Sequence, residues 1–179
     1  PRDSIAGLSG QGCSIFSGTL TMKPRCCIVA KGLDLINLPQ FGNADQTAIL
    51  VKFTRSGKIH EFVLASTDLS STDNTIPPVF MERLVNYCNE SRLPLVIGCD
   101  SNSHHVYWGS ADTNQRGTLF LEYLISTNLQ VINEGNTPTF STGRRSSVID
   151  LTLVSNNFAS LIKGWILIFN LEEAPWLSI

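Results

Sequence analysis

Neither sign of charge dominates this chain of 179 residues: 13 Lys and Arg stand against 15 Asp and Glu, a formal net charge of −2. Bulk electrostatics therefore supplies no argument for a nucleic-acid partner, and leaves room only for a local basic patch or a site that meets phosphate through a metal. No apolar run is long enough to span a membrane. Trp165–Phe169 is far too short and reads as a buried strand. Nothing at the start has the form of a signal peptide, since Pro1-Arg2-Asp3 leads into Gly-rich sequence. The first residue is not Met, so the chain is expected to be a piece of something longer or a processed product. Cys-x-x-Cys spacing is missing, and the five cysteines (Cys13, Cys26, Cys27, Cys88 and Cys99) are odd in number. Most lie in apolar runs and read as reduced core thiols, which points to a reducing, intracellular setting. Internal repeats and low-complexity segments are absent too. What remains is 42% hydrophobic and 16% charged, the balance of one globular domain.

Short strands are expected over Ser14–Gly18 and Arg25–Ala30. Thr47–Phe53 and Ile59–Ala65 read as an antiparallel hairpin around the turn-like Arg55-Ser56-Gly57-Lys58. Pro77-Pro78 opens a helix whose Phe80, Leu84, Tyr87 and Cys88 share one face. A second helix is predicted over about Gly117–Thr127, with Phe120, Leu121, Leu124 and Ile125 inward. Leu95–Cys99, Leu129–Ile132, Val148–Val154 and Lys163–Phe169 read as further strands, and Gly143-Arg144-Arg145 as a hairpin tip. Strands outnumber helices, which suggests sheets packed together with helices outside.

The run to Cys99 ends abruptly in Asp100-Ser101-Asn102-Ser103-His104-His105. Strand side chains alternate, so Asp100 and Asn102 point to the same side if the extended conformation continues. A carboxylate and an amide at the end of a core strand suit a hard cation and a phosphate oxygen, yet Asp-Ser-Asn is also ordinary turn chemistry. In Val148–Val154, Asp150 and Thr152 share one face against Ile149, Leu151 and Leu153. A carboxylate in such a strand needs a partner: a loop it caps, an arginine, a histidine or a metal. His104 and His105 are adjacent and make no chelating pair, so packing against Trp108 or contact with phosphate is expected of them. His60 reads as a surface residue, and Trp108 and Phe140 as core or rim aromatics.

Together these pieces resemble the endonuclease/exonuclease/phosphatase family, in the branch formed by endonuclease domains of non-LTR retrotransposons. Gly98-Cys99-Asp100-Ser101-Asn102-Ser103-His104-His105-Val106-Tyr107-Trp108-Gly109 resembles that branch's Gly-Asp-Phe-Asn-Ala-His-His-x-x-Trp-Gly motif. Arg116-Gly117, then Leu129 to Phe140, then Ser146 to Thr152 agree with it in order and spacing. The resemblance implies an α/β (α+β) fold: two mixed β-sheets packed as a sandwich with helices outside, the DNase I-like four-layer arrangement. Residues 1–179 then form a single incomplete domain whose N-terminal strand is missing. It implies metal-dependent phosphodiester hydrolysis that nicks double-stranded target DNA for target-primed reverse transcription, with Mg²⁺ or Mn²⁺ as cofactor. It also implies a reverse transcriptase domain on the same parent polypeptide, a nuclear site of action and no membrane partner. By position, Asp100 resembles the aspartate that activates or positions the attacking water and is the candidate metal ligand. Asn102 resembles the amide that holds the scissile phosphate, and Asp150 the carboxylate that orients the catalytic histidine. His104, His105, Thr139, Arg144 and Arg145 are the implied substrate contacts.

Three departures stand beside this. The family's metal-binding glutamate, in a Gln-Glu-Pro-like motif, falls before residue 1. Asp68 stands where the family usually has a tyrosine, and an anion there repels phosphate. Leu171–Ile179, where the family has Ser-Asp-His, contains no histidine. Removing one general acid or base costs about 10²–10⁴ in rate. The expectation is therefore impaired nicking. The alternative is a catalytically dead remnant that acts at most as a DNA- or protein-binding module. A small-molecule phosphatase is disfavoured by the His-His-x-x-Trp-Gly resemblance. Loss of the first strand predicts marginal stability and aggregation.

Overall fold

Runs of apolar residues, successive ones facing opposite ways, build a sheet that is buried on both faces. The computed structural model describes residues 13–162, apart from positions 21, 33, 72–74 and 144 and the side chain of residue 55. In chain order the strands are Ser14–Phe16 (β1), Ile28–Ala30 (β2), Asp34–Asn37 (β3), Gln46–Arg55 (β4), Lys58–Asp68 (β5), Leu95–Asp100 (β6), Leu129–Val131 (β7), Phe140–Thr142 (β8), Arg145–Ser147 (β9) and Asp150–Ser155 (β10). The α-helices are Val79–Ser91 (α1) and Gln115–Ser126 (α2). Six strands form one mixed sheet in the order β3-β4-β5-β6-β10-β7, while β1–β2 and β8–β9 are separate two-stranded pairs.

The longest pair, β4–β5, closes through Ser56 (φ 52°) and Gly57 (φ 74°). Two successive positive φ angles match the twist of a two-residue hairpin. Lys52 and Glu61 face each other across it at 2.7 Å. β5 and β6 are parallel, so the chain must cross over between them, and α1 makes that crossing. β10 then enters between β6 and β7, antiparallel to both. This insertion sets Asp150 beside Asp100, 50 residues earlier in the chain.

Both helices cover one face. Met81, Leu84, Val85 and Cys88 of α1 and Phe120 and Leu124 of α2 pack on Ala48, Val63, Ala65, Leu95, Ile97, Leu151 and Leu153. Ile49, Val51, Phe62 and Val154 point the other way and meet Ile28, Phe16 and Phe158. Among the described residues, the β1–β2 hairpin is thus the layer on the far face. The mixed α/β architecture agrees with the expected class. None of the five cysteines forms a disulfide, and Cys88 and Cys99 are buried.

Several local expectations change. β3, with one half-buried residue among four, carries too weak a pattern to be anticipated. Ile125 is 75% exposed, not inward, because α2 buries the narrower stripe of Gly117, Phe120 and Leu124. β10 begins at Asp150 and not Val148, because the carbonyls of Val148 and Ile149 accept hydrogen bonds from Ser110 and Ser101. The strand expected over Lys163–Phe169 lies outside the described residues. None of the described helices is long and apolar enough to cross a membrane.

Candidate active site

Sheet register places three carboxylates in one row. Asp68 pairs with Asp100 across β5–β6, and Asp100 pairs with Asp150 across β6–β10. All three sit at even positions, on the face turned away from the helices, where they line a cleft of about 550 Å³. Gly98 and Thr152 form its floor beside them, and Arg25, Cys26 and Cys27 close it from the segment leading into β2. Serines fix the frame. The Ser101 N–H and Oγ both donate to Ile149 O, at 2.9 and 2.7 Å, and Ser110 Oγ donates to Val148 O at 2.8 Å. Buried hydroxyls thereby tie the loop after β6 to the residues preceding β10.

Asp100 is half-buried, and its carboxyl is pushed up to about 6, first by burial and then by the neighbouring Asp150. A hydrogen bond from the Asn102 N–H (3.2 Å) and the nearby Arg116 oppose the rise, while Asp68 adds to it. Burial, with the same three aspartates, holds the Cys99 thiol well above its ordinary range, so it stays protonated.

Asp100 and Asp150 meet in the cleft, and Asn102 does not line it. β6 ends at Asp100, and Asn102 takes a left-handed φ of 46°, so strand alternation does not extend to it. Its Nδ2 donates to Leu69 O at 3.1 Å. Arg116 donates to the same carbonyl at 3.0 Å, and also to Ser70 O and Ser101 O, gathering the ends of β5 and β6. The turn reading and the site reading of Asp-Ser-Asn therefore hold in one structure: Asp100 caps its own turn and still faces the cleft.

The other candidates surround this centre. Thr139 Oγ1 accepts from the N–H groups of Ile149 and Asp150, both at 3.0 Å, so it anchors the start of β10. His104 Nδ1 lies 2.9 Å from Asp112 Oδ1. His105 Nδ1 accepts from the Tyr107 N–H at 3.0 Å, and its ring packs 5.3 Å from Trp108. Neither histidine lines the cleft. Arg145 is exposed on β9, opposite Thr142, while Arg144 lies outside the described residues. Leu171–Ile179 lies outside them as well. Trp108 is buried and Phe140 is 47% exposed. His60 is exposed and stacks on Phe53.

Sequence reasoning missed two participants. Asn133 brackets β10, donating to Asp150 O at 2.9 Å and accepting from the Thr152 N–H at 2.8 Å. Arg25 reaches Asp68 and Asp45 from far along the chain. An Asn just beyond a strand was the only local signal for the first, and there was none for the second.

The donors in the cleft are oxygen atoms of adjacent carboxylates, which suit a hard divalent cation. Among the described residues, no three His, Cys, Asp or Glu side chains are spaced to hold a metal by themselves. Mg²⁺ commonly takes one or two carboxylates and completes its shell with water and phosphate, so Asp100 and Asp150 fit part of such a shell.

Comparison with known proteins agrees with this fold. The endonuclease domain of TRAS1, a telomere-specific non-LTR retrotransposon, superposes with a TM-score of 0.74 and 25% identity, over 87% of this chain and 73% of that one. A mannosyl-6-phosphatase of Bacteroides thetaiotaomicron (TM-score 0.40, 14% identity, 72% of this chain and 56% of that one) is far more distant. So is the human Nocturnin catalytic domain (0.41, 16%, 73% and 52%), and neither bears on this chain's function. No curated protein matches the sequence. The sequence profile described as endonuclease-reverse transcriptase matches residues 57–174, about two-thirds of the chain, a span that includes all three aspartates of the row. On that match, and on a fold shared with the TRAS1 endonuclease domain, the chain belongs to the endonuclease-reverse transcriptase family.

Proposed function

We propose that this chain is a retrotransposon endonuclease domain that nicks double-stranded DNA by metal-dependent phosphodiester hydrolysis, at a reduced rate, to prime reverse transcription. The observation that carries the reading is the register pairing of Asp100 with Asp150 in one cleft, within a chain of this family. Mg²⁺ or Mn²⁺, held by Asp100 with Asp150 beside it, would offset charge on the pentacovalent transition state. Asp100 faces the cleft, where the metal it would hold positions the attacking water. Asn102 reaches phosphate by turning its amide away from Leu69 O. Arg116 still donates to that carbonyl, so the turn leaves no buried acceptor unpaired. Thr139 and Asn133 position Asp150 through its backbone. His104, His105, Arg144, Arg145 and Thr139 are the proposed flanking DNA contacts, the parent polypeptide carries the reverse transcriptase, and the nucleus is the proposed site of action.

A second reading is favoured by Leu171–Ile179, which has no histidine where the family has Ser-Asp-His. On it, the fold binds DNA or protein without cleaving. Plasmid nicking titrated with Mg²⁺ separates the two. Slow Mg²⁺-dependent conversion of supercoiled to open-circular DNA, abolished by Asp100→Ala, is the expected result. Binding without any nicking supports the second reading, and nicking unchanged in Asp100→Ala overturns the first.

A further inference from the structure

Three carboxylates line the cleft, and among its described lining residues one side chain is cationic, Arg25. It lies just ahead of β2, where its own N–H donates to Ala44 O at 2.7 Å and fixes the backbone. Its guanidinium is gripped on two sides. Nη2 pairs with Asp45, and Nε lies 3.4 Å from Asp68 Oδ2. A guanidinium carries five N–H donors in one rigid plane, so these two contacts leave others for an anion. The side chain is 49% exposed, within reach of a ligand. An ion pair that exposed contributes little as a staple between strands. Asp68, next to Asp100 in the row, sets the guanidinium over that end of the cleft.

We propose that Arg25, oriented by Asp45 and Asp68, grips a non-bridging oxygen of the DNA phosphodiester that enters the cleft beside Asp100 and Asp150. This rests on the DNA-nicking reading and adds a substrate-binding residue to it, with Asp45 and Asp68 as positioning residues. Asp68 thereby becomes a holder of the phosphate-binding cation instead of a bare negative charge facing phosphate.

The test is binding, independent of cleavage: anisotropy titrations of a short DNA duplex at fixed Mg²⁺ over a series of KCl concentrations. Arg25→Gln is expected to weaken binding about tenfold and to flatten the log–log salt slope by about 1, the signature of one lost phosphate contact. Arg25→Lys keeps the charge and loses the fork, so the slope stays while affinity falls. Asp45→Asn removes one of the two holders of the guanidinium and leaves its charge, so it is expected to keep the wild-type slope and to weaken binding less than Arg25→Gln does. Arg25→Gln binding with wild-type affinity and slope overturns the proposal while the nicking reading stands, and so does Asp45→Asn flattening the slope as much as Arg25→Gln does. Should Arg25→Gln not fold, wild-type affinity in Arg25→Lys overturns it instead. A wild-type chain that does not bind duplex sinks the DNA reading, and this proposal with it.

Discussion

At the scale of single residues, Asp100 ties the chemistry of the site to the stability of the fold. Its carboxyl moves from 3.8 to about 6, chiefly through burial and next through Asp150, with Asp68 adding and Arg116 opposing. The folded protein therefore holds this proton more tightly than the unfolded chain does. As pH rises from about 4 to about 6, the unfolded state loses the proton first, and folding stability falls over that window. Above about 6 the penalty is complete. Because Asp100 is only half-buried, solvent screening reduces the effect, and about 1–2 kcal/mol is a fair magnitude. Asp100→Asn keeps an Oδ1 to accept from the Asn102 N–H and removes the charge. In metal-free buffer it should melt above wild type at pH 7.5 and level with it near pH 4. Urea denaturation at the two pH values checks this, and a gap that is equal at both would contradict the assigned cause. The aspartate itself was legible in the sequence as the abrupt end of an apolar strand. Asn102 was read through strand alternation, which fails because the backbone turns left-handed there.

At the scale of elements, the sequence was most legible where one pattern ran long. Thr47–Phe53 and Ile59–Ala65 are β-rich, mostly apolar runs on either side of a turn, so β4–β5 was anticipated and is longer than expected at both ends. β3 and the pairing of β10 with β6 were not legible: neighbour choice and register are settled by packing between distant segments, not by local spacing. Hence Asp100 and Asp150 were each visible as candidates and the family resemblance implied that they meet, while their register pairing, and the approach of Arg25 and Asp68, came only with the fold. The start of α2 shows a similar limit. Gly117 sits in its first turn, and propensity alone says that Ala there should stabilise by up to about 1 kcal/mol. The fold says the opposite. A Cβ on Gly117 would lie 2.0 Å from His104 O, a backbone atom held by the Asn114 N–H at 3.0 Å. Helix and loop would have to separate. Gly117→Ala is expected to destabilise by about 1–3 kcal/mol, the usual range for overpacking. A melting temperature at or above wild type would show that α2 does not rest on this loop.

At the scale of the whole molecule, a chain of net charge −2 that gathers three carboxylates in one row has no general attraction for a polyanion. The DNA binding proposed for it must come from local cations and from whatever neutralises the row. The carboxylate repulsion that adds to burial in raising the Asp100 proton affinity makes the folded cleft a better cation binder than the unfolded chain, in which these residues are far apart. Binding to the folded state alone raises stability by RT ln(1 + [L]/Kd), about 1.4 kcal/mol at tenfold excess over Kd. For a domain of this size, each kcal/mol moves the melting temperature by about 2–4 °C. Saturating Mg²⁺ should thus raise the wild-type melting temperature by several degrees at pH 7.5, and EDTA should reverse the rise. In Asp100→Asn the starting temperature is higher and the Mg²⁺ increment should vanish, because both the charge and the repulsion that favours a cation are gone. An equal increment in wild type and Asp100→Asn would place the cation elsewhere on the molecule. No increment in either would leave the row a set of carboxylates that relieve their repulsion by holding a proton, with no role for a metal.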